Sequence, residues 1–337
     1  MSGSPPIAGE ALRLSVAPMM DWTDMFCRVF HRHIAPHARL YTEMVHANAV
    51  IHGDRAKLLA LDPVEHPVAL QLGGSEPELL AQAARIGADT GFDEINLNCG
   101  CPSDRVQAGR FGACLMREPA LVADSVAAMV EAVAGMTRAV PVTVKCRLGV
   151  DDDHDYGRFL AFIDEVAAAG CGMFVVHARN AWLKGLSPKE NREVPPLRYD
   201  WAYRLKVERP QLQVVVNGGI ATAEEATAHL DHTDGAMLGR AAYHDPWLLH
   251  CLDVAWFGGL QRSRAELLRA FRPQLEAWLQ QGVPLKHVSR HLLGLFNGQR
   301  GGRAFRQVLS EGAHKPGAGW ALVESAIQVT ESFASAA

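Results

Sequence analysis

Asn98, Cys99 and Cys101 stand close together where an alternating apolar run over residues 94–98 stops before Pro102. The alternation predicts a buried strand that delivers these three side chains to its carboxyl end. Strand ends are where α/β folds place chemistry, because the scaffold is rigid there and the following loop is free to vary. A thiol in such a place can be a nucleophile, a metal ligand or a proton donor.

The surroundings of the two thiols in the sequence separate these three roles. A zinc site usually has four ligands, and no second Cys/His cluster with ligand spacing accompanies Cys99 and Cys101. A nucleophilic thiolate needs an activating partner, whereas a thiol without one stays protonated at neutral pH. The pattern therefore favours a general acid and predicts no metal.

Strand-like apolar runs alternate with helical patterns along most of the chain. The runs are Leu14–Pro18, Arg39–Met44, Pro67–Leu72, Glu94–Asn98, Pro141–Cys146, Met173–His177, Gln213–Asn217 and Gly235–Leu238. Strict alternation of this kind predicts parallel strands covered by helices. The number of units favours a closed (β/α)8 TIM barrel. An open doubly wound sheet would more often show a glycine-rich dinucleotide-binding turn after its first strand, and none follows the first run here.

The pattern changes after Pro246, where only helical stretches follow. They are Arg264–Gln281, Pro284–Phe296, Arg303–Leu309 and Ala321–Ala334. We therefore predict a catalytic barrel over residues 1–246 and an all-helical domain over residues 247–337.

Charge and composition limit the partners and the compartment. The net charge is −4, but from His250 onward ten Lys and Arg residues face six Asp and Glu residues, a basic excess that permits an RNA partner. Seven scattered cysteines indicate reduced thiols. Neither a signal peptide nor an apolar run long enough to span a membrane is present, so we expect a cytoplasmic protein that does not bind membranes.

Glycines and a cation follow the last two predicted strands. The residues are Asn217, Gly218 and Gly219 after the seventh run, and Gly239 and Arg240 after the eighth. Such glycines expose backbone N–H groups, the start of a helix follows, and barrels commonly bind phosphate at this place. A phosphate site is predicted, the alternative being glycines that serve only as tight turns.

Lys145 ends an otherwise apolar strand and points into the predicted barrel mouth, where it can form a Schiff base or hold a negative charge. With a phosphate site and the amides of Gln71 and Asn98 nearby, a bound flavin mononucleotide (FMN) fits better than an aldolase lysine. Pro18, Met19 and Met20 would contact the flavin plane. For His177 a cofactor contact and a buried barrel histidine stay equally open.

The motifs resemble those of the tRNA-dihydrouridine synthases. They lie at residues 17–24 (APMMDWTD), 98–102 (NCGCP), 144–149 (VKCRLG), 176–179 (VHAR), 217–220 (NGGI) and 238–240 (LGR). Residues 177–192 are similar to the bacterial A-type subfamily, which acts at positions 20 and 20a of the D-loop. The resemblance runs from about residue 14 to residue 312.

The resemblance implies an FMN-dependent oxidoreductase that takes its electrons from NADPH and reduces a uracil 5,6-double bond in tRNA. The cofactor-binding residues that it implies are Pro18, Met19, Met20, Gln71, Lys145, His177, Asn217, Gly218, Gly219, Gly239 and Arg240. It makes Cys101 the acid that protonates C5 while hydride goes from flavin N5 to C6. It places Asn98 beside the base and makes Lys184, Arg300 and Arg303 tRNA contacts. We expect a monomer.

Phosphate contacts from the helical domain are predicted to offset the cost of extruding the uridine. The candidates are Lys286, Arg290, Arg300, Arg303 and Arg306, the three last at a spacing that places them on one helical face. Other functions remain open, namely a flavin reductase of a free pyrimidine, a tRNA-binding module without catalysis and a Schiff-base aldolase.

Overall fold

The computed structural model describes residues 4–335 of the chain. Its strands, numbered β1 to β8 in chain order, are Leu14–Val16, Leu40–His46, Val68–Gly73, Glu94–Cys99, Val142–Cys146, Met173–His177, Gln213–Asn217 and Gly235–Leu238. All neighbouring strands pair in parallel, in the order β1-β8-β7-β6-β5-β4-β3-β2. A parallel bridge between Ser15 and Arg39 joins β1 to the start of β2 and closes the cylinder. The predicted (β/α)8 TIM barrel is confirmed.

Helices cover the barrel between successive strands. Those of this unit are α2 to α9, at Ala47–His52, Arg55–Leu58, Pro77–Thr90, Asp104–Ala108, Pro119–Val133, Tyr156–Ala168, Tyr199–Glu208 and Ala223–His229. Short 3-10 turns lie at Gly9–Leu12, Pro63–Glu65, Gly112–Arg117 and Glu190–Arg192.

Both faces of the barrel strands are buried, but they differ in chemistry. Along β4 every residue is buried, with Ile95 and Leu97 on the face toward the helices and polar side chains on the other. Inside the barrel Tyr41, Val175 and Met237 belong to one apolar cluster. Polar residues from β3, β4 and β5 share that interior.

A second compact unit is all helical and consists of Trp22–Ala38 together with the chain from Arg240 onward. Its helices are α1 at Met25–Ile34 and α10 to α15 at Arg240–His244, Trp247–Phe257, Arg264–Gln280, Leu285–Leu292, Gly302–Gly312 and Trp320–Ser335. Within the described residues no helix is both long and apolar enough to cross a membrane.

The predicted boundary at residues 246/247 differs from the division in the structure. Helix α1 belongs with the helical unit because its aromatic face packs there, with the Phe26 ring 4.9 Å from Trp278 and the Phe30 ring 5.4 Å from Phe271. The second unit also begins earlier than predicted, at Arg240. An insertion between β1 and β2 thus completes the core of a domain that lies far away in the sequence.

Candidate active site

The loop after β4 is fixed by the amide of Asn98. The Asn98 Oδ1 atom accepts the backbone N–H groups of Gly100 at 3.1 Å and of Cys101 at 3.0 Å. The carbonyl oxygen of Cys101 in turn accepts the N–H of Ala113 at 2.9 Å. These contacts hold the partly exposed Cys101 thiol at the carboxyl end of the barrel, where its Sγ lies 3.6 Å from the hydroxyl of Ser103.

Cys99 has no comparable access to a ligand. Its side chain is fully buried, and alternation along β4 turns it away from the barrel interior that Asn98 faces. Burial raises the pKa of the Cys99 thiol well above its usual range. Cys99 therefore stays protonated and fills space between strands and helices, so only Cys101 of the pair is placed for chemistry.

Cations gather in the barrel mouth beside this loop. Lys145 lies opposite Asn98 in the β4–β5 pairing. Burial and the neighbouring Arg147 lower the Lys145 pKa to about 8. Burial, followed by Arg147 and Lys145, also lowers the His177 pKa well below its usual range, so that imidazole is neutral. Over residues 4–335 the Lys145 ammonium has neither an acidic partner nor a hydrogen-bond acceptor. A mouth with this charge favours an anion.

Two side chains tie the cysteine loop to the segment that carries Lys184. The guanidinium of Arg147 donates to the carbonyl oxygens of Gly100 at 3.1 Å and of Asn191 at 3.0 Å. The Gln107 amide donates to the carbonyl oxygens of Pro102 and Leu183, each at 2.7 Å. These hydrogen bonds therefore hold the two segments in a fixed position relative to each other.

Asn191 gives the Lys184 segment its shape. Its buried amide accepts the N–H of Trp182 at 2.7 Å and donates to the carbonyl oxygen of the same residue at 2.9 Å. The side chain of Lys184 is exposed on this segment, and Trp182 is 37% exposed beside it. The segment thus presents a cation and an aromatic ring to solvent.

The turn after β7 has room only for glycine. Gly218 and Gly219 have φ values of +107° and +73°, which L side chains rarely adopt. A Cβ on Gly218 would lie 2.4 Å from the ring of His177, and one on Gly219 would lie 2.6 Å from Leu197. The hydroxyl of Tyr199 donates to the carbonyl oxygen of Gly218 at 2.5 Å and fixes the turn. Asn217 donates to the Met237 carbonyl at 2.7 Å.

Side chains of the same segment cap the start of the helix after β7. Glu225 accepts the N–H groups of Ala221 and Thr222, while the Thr222 hydroxyl accepts the N–H of Glu225. The N–H groups of Ala221, Thr222 and Glu225 are therefore not available to an anion. Gly239 ends the barrel unit and Arg240 begins α10.

The loop after β1 presents an apolar surface. Pro18 and Met19 are partly buried, and Met20 is 56% exposed. Asp21 follows with a φ of +64°, and its N–H donates to the carboxylate of Glu43. The hydrogen bond holds the loop in a conformation that leaves the Met20 side chain available for a flat apolar ligand.

In the helical unit the predicted tRNA-binding residues do not share one helix. Lys286, Arg290, Arg300 and Arg303 are exposed, and Arg306 is partly buried. Arg303 lies in the first turn of α14, whereas Arg300 precedes Gly301, the residue before the helix starts. Only Arg303 and Arg306 are therefore helical neighbours at spacing three, which corrects the prediction for three arginines. In the described part of the chain neither Arg300, Arg303, Arg306 nor Lys286 has an acidic partner. Arg290 pairs with Asp24 at 2.6 Å.

Comparison with known proteins decides the family. The family model described as Dihydrouridine synthase (Dus) matches residues 15–333. A protein of Xanthomonas campestris pv. campestris named tRNA-dihydrouridine(20/20a) synthase is 71% identical over 335 residues, covering 99% of this chain and 98% of its own. A protein of the same name from Vibrio parahaemolyticus is 52% identical over 321 residues, covering 94% of this chain and 97% of its own. This chain belongs to the dihydrouridine synthase family.

Solved structures agree with the barrel architecture of this dihydrouridine synthase family member. Morphinone reductase has a TM-score of 0.51 at 13% identity, covering 74% of this chain and 87% of its own. Its complex with tetrahydroNAD has a TM-score of 0.52 at 14% identity, covering 78% of this chain and 93% of its own. At such identity the likeness concerns the fold alone.

Some site residues of this family member were not predicted from its sequence. The hydrogen bonds by which Arg147 connects the loops depend on backbone carbonyls that are distant in the chain. The polar side chains of Glu94, Asn96 and Thr143 inside the barrel were also missed. The available signal was the period of two that places Glu94, Asn96 and Asn98 on one face of β4.

Proposed function

We propose that this chain reduces the 5,6-double bond of uridine in the D-loop of tRNA, at positions 20 and 20a, with FMN as cofactor and NADPH as reductant. The observation that carries the proposal is the Cys101 thiol held in the mouth of a barrel of this family beside the Lys145 ammonium, which has no acidic partner among the described residues. The name of the two relatives, tRNA-dihydrouridine(20/20a) synthase, supports the substrate and the positions.

The residues present fit FMN. Adjacent glycines at positive φ leave the space that side chains would fill, and the ammonium of Lys145 has no other negative partner among the described residues. The residues that would hold the phosphate are Asn217, Gly218, Gly219, Gly239 and Arg240. Those that would hold the ring system are Pro18, Met19, Met20, Gln71, Lys145 and His177. When bound, FMN supplies to uracil C6 the hydride that it takes from NADPH.

The protein's own task is then to supply a proton. Hydride addition at C6 leaves negative charge on the base, which a proton at C5 neutralises. The thiol of Cys101 gives up that proton, and the resulting thiolate takes one back from solvent. A positioned acid of this kind contributes about 10²- to 10⁴-fold in rate. Nearby Lys145 and Arg147 stabilise the thiolate by their positive charge.

Neutral His177 contributes packing rather than charge. Its ring lies against the glycine turn, and its lowered pKa keeps it uncharged beside the surrounding cations. The role that we assign to it is therefore a contact to the cofactor that does not change charge between pH 6 and 9. The other reading from the sequence, a histidine that only fills the barrel, predicts that its replacement leaves flavin retention unchanged.

Recognition of tRNA uses cations from both units. Extrusion of a stacked uridine costs a few kcal/mol. Phosphate contacts by Arg300 and Arg303 of the helical unit and by Lys184 of the barrel unit offset it, because none of these side chains is neutralised by an acidic partner in the described chain. Asn98 contacts the base itself.

The experiment that tests the proposed function compares substrates. Purified holoenzyme is given NADPH and either unmodified tRNA, free uridine or uracil, and dihydrouridine is measured by mass spectrometry and mapped in the tRNA. We expect product only with tRNA, at positions 20 and 20a. Equal reduction of free uridine or uracil would instead identify a free-pyrimidine reductase, and a colourless inactive protein would indicate a binding module.

We further propose that the enzyme acts in the cytoplasm as a monomer without a metal ion. The substrate tRNA supports the compartment, and within residues 4–335 no group of three His, Cys, Asp or Glu side chains is arranged to hold a metal. Light scattering of the purified holoenzyme measures the oligomeric state. Elemental analysis of the same sample, with activity measured after chelation, tests the metal.

A further inference from the structure

A chain of hydrogen-bonded side chains crosses the barrel interior and ends at the cysteine loop. The Asn98 amide donates to Gln71 Oε1 at 2.8 Å, and the Gln71 amide donates to Asn96 Oδ1 at 2.8 Å. The Asn96 amide donates to the hydroxyl of Thr143 at 2.8 Å, and that hydroxyl donates to Glu94. All of these side chains are at least nine-tenths buried. These side chains therefore form their hydrogen bonds with one another rather than with water.

The inner end of the chain can only accept hydrogen bonds. The carboxylate of Glu94 accepts from the guanidinium of Arg39 at 2.5 Å and from the hydroxyl of Tyr41 at 3.0 Å. Burial and the adjacent Glu94 raise the Tyr41 pKa well above its usual range, so its hydroxyl keeps the proton it donates. Burial alone would lower the Arg39 pKa, but the charge of the adjacent Glu94 outweighs burial and raises it. Thr143 must therefore donate its one proton to Glu94 and can only accept from Asn96.

The outer end of the chain can only donate. Backbone N–H groups of Gly100 and Cys101 point at Asn98 Oδ1, which fixes the carbonyl oxygen of that amide toward the loop. The carboxylate at one end and the backbone donors at the other thus impose the same direction on every link. Reversing a single amide would place oxygen against oxygen or N–H against N–H at its contacts, and such an error is costly in a buried site.

We propose that Asn96 and Thr143 are positioning residues that lock the amides of Gln71 and Asn98 so that each presents an N–H group, not a carbonyl oxygen, to a ligand in the barrel mouth. Each of these amides has two N–H groups and uses one within the chain, so one remains for a ligand. This inference rests on the proposed function for the identity of the ligands, which are the flavin ring at Gln71 and the target base at Asn98. Uracil offers carbonyl oxygens that accept a hydrogen bond from such an N–H group. Cytosine has an amino group in place of O4, and this second donor cannot pair with the amide N–H.

The test compares Thr143→Val with Thr143→Ser and with a matched control, Thr233→Val. Valine removes the hydroxyl at nearly constant shape, and serine keeps it. Thr233 is also buried, at the amino end of β8, and its hydroxyl lies 3.0 Å from the His229 carbonyl oxygen and 3.1 Å from the Gly235 carbonyl oxygen, to either of which it can donate its one proton. It therefore controls for the loss of a buried hydroxyl away from the mouth.

Amide hydrogen exchange in the purified holoenzyme is the first measurement. In Thr143→Val we expect the N–H groups of Gly100 and Cys101 to exchange about fivefold faster than in the wild-type protein, because the amide that accepts them loses its support. Thr143→Ser and Thr233→Val should keep the wild-type exchange rate at these two positions. Equal exchange in Thr143→Val and Thr233→Val would overturn the proposal.

Reoxidation of the reduced holoenzyme is the second measurement. Thr143→Val should lose roughly tenfold or more in the rate with tRNA, which needs the oriented amides, and change little in the rate with oxygen. Thr143→Ser should restore the tRNA rate, and a parallel loss of both rates would contradict a positioning role. If the wild-type enzyme does not react with tRNA, the proposed function fails, while the exchange measurement still decides whether the amides are locked.

Discussion

Arg147 donates a hydrogen bond from Nε to the carbonyl oxygen of Gly100 at 3.1 Å, one residue before Cys101, the proposed proton donor. Its Nη1 reaches two further backbone carbonyls, of Asn180 at 3.3 Å and of Asn191 at 3.0 Å. Burial lowers the Arg147 pKa to about 9, which leaves the guanidinium charged at neutral pH. A single buried cation thus connects three loops at the mouth of the barrel.

We predict that Arg147→Met destabilises the protein by about 1–3 kcal/mol, because buried carbonyl oxygens lose their donor. Thermal or denaturant unfolding measures the loss. Arg272→Met is the control, since Arg272 is exposed, pairs with Glu276 on its own helix at 2.9 Å and lies over the Trp320 ring at 5.6 Å. Equal stability of the two variants would contradict the role of Arg147.

Flavin affinity should fall as the pH rises through about 8. The Lys145 pKa is lowered to about 8, mainly by burial, and a hydrogen bond to a carbonyl oxygen of the bound flavin ring raises it because the ammonium is then favoured. Binding of FMN therefore takes up a proton above pH 8, and affinity weakens with increasing pH. Titration of the apoprotein with FMN from pH 6 to pH 9 measures this.

Two substitutions control the pH experiment. Lys145→Met should bind FMN more weakly at pH 7 and lose the decline near pH 8, while Lys145→Arg should keep strong binding across the range. A wild-type affinity that is independent of pH, or a Lys145→Met variant with the wild-type profile, would rule out the charge of Lys145 as the cause.

The glycine turn after β7 should tolerate no side chain, and a second glycine offers a matched comparison. Gly219 and Gly317 have φ values of +73° and +75°, but only Gly219 has neighbours within 4 Å of the position that a Cβ would take. Alanine costs about 1–2 kcal/mol at either place because of the backbone conformation. Gly219→Ala should lose bound flavin as well, measured by the absorbance ratio of the purified protein, whereas Gly317→Ala should retain it.

Binding of tRNA should depend on the arginines of α14 and on salt. Replacing Arg303 and Arg306 together by alanine should weaken binding and flatten its dependence on salt concentration, because fewer phosphates are neutralised. Arg272→Ala should leave both unchanged, since its charge is already paired. Filter binding or fluorescence anisotropy at several salt concentrations measures the effect. A wild-type Kd that does not change with salt would contradict phosphate recognition.

Much of the barrel could be predicted from local pattern. β6, β7 and β8 begin and end at the predicted residues, since continuous apolar runs bounded by Gly, Pro or polar residues define buried parallel strands. Helix Trp247–Phe257 was not predicted separately because it is apolar on almost every side and shows little periodicity. The place of α1 in the helical unit depends on aromatic contacts that are distant in the sequence, so local pattern carries no signal for it.

The candidate site was predictable where one strand end carries one conspicuous residue. Cys101, Lys145 and the Gly218–Gly219 turn fall into this class, because the position after a barrel strand is itself informative. The hydrogen bonds of Arg147 and the direction of the Gln71–Asn98 amide chain were not predictable in this way. They arise from the register between strands and from carbonyls of separate loops, which the sequence does not display.

The most direct test of the account measures proton donation by Cys101. Cys101→Ala holoenzyme is reduced with NADPH and mixed with tRNA in a single turnover, and dihydrouridine is quantified, with Cys99→Ala as the control at the buried thiol. We predict normal flavin reduction by NADPH and dihydrouridine formation slowed by about 10²- to 10⁴-fold in Cys101→Ala, with the Cys99→Ala rate close to wild type. Dihydrouridine formed by Cys101→Ala at the wild-type rate would contradict it.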